Sequence, residues 1–233
     1  MNAREQRVVI TGAFGALGSA VARKFHAQGA RLGLIDHAPI PPWAAHEFAA
    51  PHVLVGGVDL TDERAAAAAF AQVTGATTGL DVLVNVAGGF RWQTVSDGDV
   101  ATWELMFAMN LKTALVASRA VIPHLKARAG GRIINIGAGA AARGHTGMGA
   151  YSASKAGVER LTEALADELK DQDITVNAIL PGTIDTPANR ADMPKADTAR
   201  WVSAEAVADV IAFLASEEAR AVTGAAIRVF GRG

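Results

Sequence analysis

Short β-branched and apolar runs alternate with longer helical patterns along almost the whole chain, and this alternation constrains the fold more than any other feature. Several of the runs are apolar on both faces, as expected when helices cover both sides of a parallel sheet. The pattern predicts one α/β domain over residues 1–233, with helices on both faces of a doubly wound, mainly parallel sheet of about seven strands. The predicted strands are Val8–Thr11, Arg31–Asp36, His52–Val58, Asp81–Val86, Arg132–Gly137, Ile174–Ile179 and Ala226–Phe230.

Two connections between the predicted elements have an unusual sequence. The segment 39–51 holds four of the eight prolines, so we predict a loop between the second and third strands. The stretch from Pro181 to about Trp201 looks irregular and is long for a connection inside a compact domain. We expect residues 182–201 to form a short lid over a substrate site.

Composition excludes several classes of function. The 22 basic and 23 acidic residues give a net charge of -1, which disfavours a nucleic-acid partner. The chain has no cysteine, and its six histidines show no metal-ligand spacing, so we expect no metal site. The N-terminal apolar run is too short for a signal sequence or a membrane span. We therefore expect a cytoplasmic protein that has no membrane partner.

A glycine-rich turn joins the first predicted strand to the first helix. The segment Thr11–Gly18 places Gly12, Gly15 and Gly18 at intervals of three residues. Such a turn lets backbone N–H groups approach a pyrophosphate at the N-terminus of a helix. The alternative is a tight strand-to-helix turn without a ligand. The strand before and the helix after the turn favour dinucleotide binding, as in a Rossmann-type domain.

Two aspartates lie at or just after the ends of predicted strands, where their carboxylates could form hydrogen bonds with a nucleotide. Asp36 lies 18 residues beyond Gly18, where a carboxylate accepts hydrogen bonds from ribose hydroxyls and repels a 2′-phosphate. His37 beside it is neither arginine nor lysine, so we expect NAD to be preferred over NADP. A solvated aspartate at a strand end is the alternative. Asp59, before Leu60, could reach the adenine or serve only in a turn.

The segment Tyr151–Lys155 contains the only tyrosine of the chain. Positions i and i+4 share one helix face, so the phenol and the ammonium would project into one site. There Lys155 could lower the pKa of Tyr151 and help it to donate or accept a proton. The alternative is an aromatic residue and a solvated lysine on a surface helix, which the upstream glycine turn disfavours.

These motifs together resemble the short-chain dehydrogenase/reductase family over almost the full length of the chain. Seven of them stand in the family's order: TGAFGALG (11–18), DL (59–60), NVAG (85–88), Asn110 within MNLKTAL, YSASK (151–155), PGTIDT (181–186) and VTG (222–224). The resemblance implies an oxidoreductase that binds a nicotinamide cofactor and a small-molecule substrate. It also implies pairing through the helix 158–169 and its predecessor, so we expect a homodimer or homotetramer.

The resemblance assigns cofactor contacts residue by residue. It implies that the pyrophosphate is held by Gly12, Phe14, Gly15, Leu17 and Gly18, that the adenosine half is read by Asp36, Asp59 and Leu60, and that the cofactor is lined by Asn85, Ala87 and Gly88. The segment that holds the carboxamide would be Pro181, Gly182, Thr183, Ile184 and Thr186.

The resemblance also implies three catalytic roles. Tyr151 would be the acid/base, and Lys155 its partner that also binds the nicotinamide ribose. Asn110 would hold a water molecule in a proton relay.

One position departs from the family pattern. The substrate-binding serine of the family should fall at position 138, where this chain has alanine. A hydroxyl that steadies a carbonyl oxygen as it becomes an alkoxide contributes about 2.7–4 kcal/mol in comparable oxyanion sites. Ala138 therefore disfavours ordinary ketone reduction.

Local stretches resemble one branch of the family, the dihydropteridine reductases, which use NADH and also have alanine in place of that serine. The stretches are NVAGGF (85–90), GAGAA (137–141), TGMGAY (146–151) and 180–197 with Trp201. We expect a substrate pocket built from Ala138, Phe90, Trp92, Met148 and Trp201, which suits a flat conjugated ring. The alternatives are a general carbonyl/alcohol or 3-oxoacyl reductase and a catalytically weak NAD-binding sensor or scaffold.

Overall fold

The computed structural model describes residues 5–128 and 130–232. Its main sheet contains seven strands in the order β3-β2-β1-β4-β5-β6-β9, and every neighbouring pair is parallel. The predicted doubly wound α/β domain is therefore confirmed. The strands are β1 (Arg7–Thr11), β2 (Arg31–Ile35), β3 (Val53–Val55), β4 (Val82–Asn85), β5 (Arg132–Ile136), β6 (Thr175–Pro181) and β9 (Ala226–Val229).

Helices cover both faces of this sheet and enclose two cores. One core lies between the sheet and the pair α1 and α8, and the other lies between the sheet and α3, α5 and α6. The helices are α1 (Ala16–Ala27), α2 (Pro42–Glu47), α3 (Glu63–Thr77), α4 (Val100–Phe107), α5 (Thr113–Lys126), α6 (Gly149–Leu169), α7 (Pro187–Asp192) and α8 (Ala204–Leu214). The apolar stripe of α6 that the sequence shows, Val158, Leu161, Leu165 and Leu169, packs mainly in these cores.

A π-helical turn, Ala108–Lys112, joins α4 to α5 without a break. The resulting segment Val100–Lys126 has 27 residues and a mean hydropathy of 1.4, so by length and composition alone it could cross a membrane. In the fold 44% of its apolar window is buried, and α5 packs against α3, β4 and β5. Packing of α5 in the core therefore accounts for part of the hydrophobicity of this segment.

The structure corrects two predicted loops. Within residues 39–51 a short helix, α2, begins at Pro42, because proline is tolerated at the first helical position, where its missing N–H has no partner to lose. The stretch after Pro181 is not wholly irregular either. It contains α7 and two short parallel strands, β7 (Ile184–Asp185) and β8 (Val202–Ser203), which pair with each other outside the main sheet.

The strand order places the chain's functional motifs at one edge of the sheet. β1 lies between β2 and β4, so the connections after β1 and after β4 leave the sheet side by side. In doubly wound sheets, ligands bind outside the carboxyl ends of the strands at such a switch point. The glycine turn after β1 and the segment 86–90 after β4 both lie there.

The central strand β4 provides a test of the core. Leu83 is fully buried in the middle of the sheet, so Leu83→Ala should lower the free energy of unfolding by about 2–5 kcal/mol through lost burial and a cavity. The matched control is Val95→Ala in the segment between β4 and α4, where the side chain is 74% exposed and the expected change is below about 0.5 kcal/mol. Urea denaturation of both variants measures the difference. Equal losses would contradict this description of the core.

Candidate active site

The glycine turn brings two backbones into close contact. Gly12 has a φ of +63°, and a Cβ atom built on it would lie 2.7 Å from the backbone nitrogen of Ala87. A Cβ on Gly18 would lie 2.8 Å from the Cα atom of Ala13 and would also overlap the Gly12 carbonyl oxygen. Side chains at both positions would push the turn apart. Glycine is therefore required at the end of β1 and in the first turn of α1.

The first turn of α1 leaves backbone donors available. Gly15 precedes the helix and provides no side-chain cap for the first helical N–H groups, which have no partner within the helix itself. Gly15 and Ala16 are exposed, whereas the side chain of Leu17 is buried in the core. The exposed donors at a helix N-terminus can bind the pyrophosphate of a dinucleotide.

The carboxylate of Asp36 connects the glycine turn to the end of β2. Its Oδ2 atom accepts a hydrogen bond from the backbone N–H of Phe14 at 2.8 Å, and its Oδ1 atom accepts one from Ala38 at 2.9 Å. Each carboxylate oxygen has a second lone pair, so both can still accept hydroxyl groups. The half-buried Asp36 is placed as a ribose-reading carboxylate requires.

Three other residues of the expected cofactor set have side chains that bond to or pack against other protein groups: Asp59, Leu60 and Asn85. The Oδ1 atom of Asp59 accepts hydrogen bonds from the backbone N–H and the hydroxyl of Thr61, both at 2.8 Å, and these bonds lower the pKa of Asp59. Leu60 is buried in the core. The side-chain amide of Asn85 is buried as well and donates to Asn135 Oδ1 at 2.9 Å.

Tyr151 and Lys155 lie one turn apart on α6, and both are largely buried. Burial raises the pKa of Tyr151 to about 12 and lowers the pKa of Lys155 to about 8. The Nζ atom of Lys155 donates to the Ile136 carbonyl at 2.7 Å. Burial is thus the main influence on the pKa of both groups, and the lowering of the Tyr151 pKa by Lys155 stays a prediction.

Asn110 lies in the π-helical turn and is held by both ends of its amide. Its Oδ1 atom accepts from the Gly89 N–H at 2.9 Å, and its Nδ2 atom donates to the Gly89 carbonyl at 3.1 Å and to Ser154 Oγ at 3.0 Å. A Cβ on Gly88 would lie 2.6 Å from Asn110 Oδ1 and 3.4 Å from Lys155 Nζ. The segment after β4, the π-helical turn and α6 thus meet at one point.

Sequence reasoning missed two members of this cluster. Ser154 is fully buried, and its hydroxyl donates to the Tyr151 carbonyl at 2.7 Å while it accepts from Asn110. Its place within the YSASK motif, three residues after Tyr151, could have indicated it. The Ile136 carbonyl carries no sequence signal, because backbone atoms that meet a side chain 19 residues away are positioned only by the folded sheet.

The expected substrate-pocket residues divide into buried and exposed members. Ala138 follows β5 and is buried. Phe90 packs edge-on against the ring of Tyr151, with centroids 5.0 Å apart. Trp92 is 63% exposed and covers Gly147, where a Cβ would overlap its indole. Met148, which directly precedes α6, and Trp201 are half-buried.

The segment after β6 is fixed by backbone contacts on both sides. The N–H of Gly182 donates to the Val229 carbonyl, and the Thr183 carbonyl accepts from the N–H of Val202, both at 3.0 Å. The Thr186 hydroxyl accepts from Asn189 and so caps α7. Pro181 is buried in β6, while Ile184 lies half-buried in β7. The expected carboxamide segment thus borders the same edge of the sheet as the glycine turn.

The residues present fit a dinucleotide cofactor. The cradle at Gly12 and Gly18 excludes side chains, the first turn of α1 offers free N–H groups, and Asp36 stands at the end of the neighbouring strand. Within residues 5–128 and 130–232, no three His, Asp or Glu side chains are grouped closely enough to hold a metal ion. The glycine cradle, the helix N-terminus and Asp36 together fit an organic dinucleotide.

Comparisons with known proteins agree with this arrangement. The family model for short chain dehydrogenases matches residues 6–197. A nodulation protein G of Azospirillum brasilense is 33% identical over 235 residues, which cover 96% of each chain. A 2-(S)-hydroxypropyl-CoM dehydrogenase of Xanthobacter autotrophicus is 31% identical over 251 residues, covering 98% of this chain and 96% of the other.

A solved structure gives the same result for the fold. The 3-ketoacyl-(acyl-carrier-protein) reductase of Brucella melitensis, described in complex with NADH, superposes with a TM-score of 0.87 at 27% identity. The match covers 97% of this chain and 98% of that chain. On its motifs, its sheet and these relatives, the chain belongs to the short-chain dehydrogenase/reductase family.

Proposed function

We propose that this protein is an NADH-preferring reductase that transfers hydride to a small conjugated acceptor of the quinonoid dihydropterin type. The observation that carries the proposal is the buried methyl group of Ala138 beside an otherwise assembled Tyr151, Lys155 and Asn110. An acceptor that takes hydride into a conjugated, imine-like system builds no full alkoxide. Such an acceptor does not need the hydroxyl that position 138 lacks.

The side chains supply the proton and its surroundings, while the bound nicotinamide supplies the hydride. Because burial raises the pKa of Tyr151 to about 12, its phenol is protonated at neutral pH and is ready to donate. Phe90 packs edge-on against the ring and helps to hold its orientation. Protonated Lys155 on the next turn stabilises the phenolate that remains after donation. Asn110, fixed by Gly89 and Ser154, holds the neighbouring backbone in place and is proposed to bind the relay water.

The wider cofactor assignment is part of the same proposal. Asp36 hydrogen-bonds to the adenosine ribose, and Asp59 and Leu60 border the adenine. Asn85 contributes indirectly, because its buried amide fixes the end of β4. Ala87, Gly88 and the segment 181–186 border the nicotinamide half. Residues 182–201, with their short helix α7, form the lid, and the single domain 1–233 carries the whole site.

Two other functions remain candidates. A general carbonyl/alcohol or 3-oxoacyl reductase is supported by the likeness to the 3-ketoacyl-(acyl-carrier-protein) reductase of Brucella melitensis. A catalytically weak NAD-binding sensor is supported only by Ala138. The assembled Tyr151, Lys155 and Asn110 favour an enzyme over the sensor, since binding alone needs no proton donor.

The proposed assembly is a homodimer or homotetramer in the cytoplasm. The outer surface of α4 and the start of α5 exposes the apolar side chains Val100, Leu105, Phe107 and Leu115. Exposed apolar side chains on one helical segment support an interface between subunits.

The cofactor preference can be measured directly. Because Asp36 should repel a 2′-phosphate, NADH should bind at least ~10-fold, or ~1.4 kcal/mol, more tightly than NADPH. Asp36→Ala should reduce this ratio, whereas Asp171→Ala, which removes an exposed charge at the opposite edge of the sheet, should leave it unchanged. Fluorescence titration of both cofactors gives the ratio. NADPH binding as tight as NADH binding would refute the role of Asp36.

Removal of the phenol tests the proton donor. Tyr151→Phe should leave the dissociation constant of NADH nearly unchanged and lower turnover roughly 10²–10⁴-fold, the range of a positioned acid/base. Lys155→Ala should weaken both turnover and NADH binding. Steady-state kinetics and cofactor titration separate the two effects. If Tyr151→Phe turns over like the parent protein, the proton comes from another group.

A panel of acceptors tests the substrate class. With NADH, reduction of quinonoid dihydropterin should exceed reduction of simple ketones and of 3-oxoacyl thioesters. Ala138→Ser should raise ketone reduction more than pterin reduction, because only the ketone develops a full oxyanion. Strong 3-oxoacyl reduction without pterin reduction would instead select the general reductase. NADH binding with no turnover on any of the three would select the sensor.

A further inference from the structure

The last described residues of the chain contact three segments that surround the candidate active site. A Cβ on Gly139 would lie 2.5 Å from Cζ of Phe230, and a Cβ on Gly182 would lie 3.3 Å from its Cα. Beyond it, the N–H of Arg232 donates to the Arg200 carbonyl at 3.3 Å. The residues 230–232, which we name the C-terminal strap, thus join the segments after β5, after β6 and before β8.

The ring of Phe230 explains why position 139 is glycine. The backbone of Gly139 is not in the left-handed region, so its conformation alone would admit a side chain. The space that a methyl group would need is instead filled by the ring. Gly137 shows the same relation on the other side, where a Cβ would lie 2.5 Å from Cδ2 of Leu180. The segment Gly137–Gly139 is therefore held between Leu180 and Phe230.

This segment carries two groups on which the site depends. It contains Ala138, and it directly follows Ile136, whose carbonyl accepts the hydrogen bond from Lys155 at 2.7 Å. At its start the segment is fixed by the bond from the Gly137 N–H to the Ile179 carbonyl at 2.8 Å, and beyond Gly137 it is fixed by packing and by the bond from the Ala141 N–H to the Ala138 carbonyl at 3.0 Å. Its position is therefore sensitive to what presses against Gly139.

We propose that Phe230 is a positioning residue: its ring, packed on Gly139, fixes Ala138 against the acceptor and thereby sets the selectivity for the acceptor. The assignment rests on the proposed function, because it concerns how the acceptor fits beside Tyr151. It predicts an effect on the acceptor and little effect on NADH. Phe230 approaches Gly182 of the cofactor segment with its Cα, carbonyl oxygen and Cβ atoms, which Phe230→Ala leaves in place, and the glycine turn and Asp36 lie in other segments.

The first experiment separates acceptor binding from turnover and cofactor binding. Phe230→Ala should raise the KM of the preferred acceptor about tenfold, with kcat and the dissociation constant of NADH each within twofold of the parent protein. Phe230→Leu keeps most of the apolar volume, so its KM for the acceptor should lie between those of the parent protein and Phe230→Ala. The matched control is Phe213→Ala on α8, a 50% exposed phenylalanine, for which no constant should change. An unchanged KM in Phe230→Ala would overturn the proposal.

The second experiment tests the contact itself by a double-mutant cycle. Gly139→Ala should lower the thermal midpoint and raise KM, because its methyl group overlaps the ring. Adding Phe230→Ala to Gly139→Ala should recover a large part of both losses, so that the two effects are not additive. Additive losses would show that the ring does not press on Gly139 and would overturn the proposal.

The two proposals fail in distinguishable ways. If the intact protein binds NADH but reduces no acceptor, the proposed function fails, while the thermal cycle still reports on the contact. Amide hydrogen exchange at 138–140 then decides the positioning role. Faster exchange in Phe230→Ala than in Phe213→Ala supports it, and equal exchange overturns it.

Discussion

The contact between the backbones of Gly12 and Ala87 is the constraint on which the rest of the site depends. It joins the turn after β1 to the segment after β4, with room for neither a Cβ nor another backbone conformation at Gly12. The Ala87 N–H also donates to the Thr11 hydroxyl at 3.2 Å. Because Gly88 and Gly89 follow directly, the same contact determines where Asn110 finds its backbone partner. The same backbone contact therefore positions both the glycine turn and the residues around Asn110.

Deeper in the sheet, hydrogen bonds of buried side-chain amides connect β4 to β5 and β5 to α6. Asn85 on β4 donates to Asn135 on β5, and Asn135 donates to the Thr162 hydroxyl on α6 at 2.9 Å. In a low-dielectric interior such bonds are strong, and their loss is costly because an unpaired polar group stays buried. Lys155 differs from these amides, since its buried amine carries a charge and donates to a backbone carbonyl, that of Ile136. Its lowered pKa expresses that cost.

The fold and the placement of Tyr151 and Lys155 on one helix could be predicted because their signals are local. Alternating apolar runs identify the seven strands, and the spacing of Tyr151 and Lys155 places them on one helix face. The helix that begins at Pro42 was missed. Prolines usually end helices, and a proline is tolerated in a helix mainly at the first helical position, which the sequence does not mark. The strands β7 and β8 are two residues long and have no periodicity to detect. Phe230 meets Gly139 only after ninety intervening residues have folded, and no pattern in the sequence announces such a contact.

The π-helical turn at Ala108–Lys112 determines where Asn110 lies along the helix. Such a turn holds one residue more than an α-helical turn, and it takes up that residue within itself, so that α4 and α5 continue as one helix. Deleting one residue here would return the turn to α-helical geometry, with Val116, Val121 and Leu125 still in the core. Asn110, which bonds to Gly89 and Ser154 from the turn itself, would change its position instead. A single-residue deletion at this place would therefore disturb the candidate site while leaving the core packing in register.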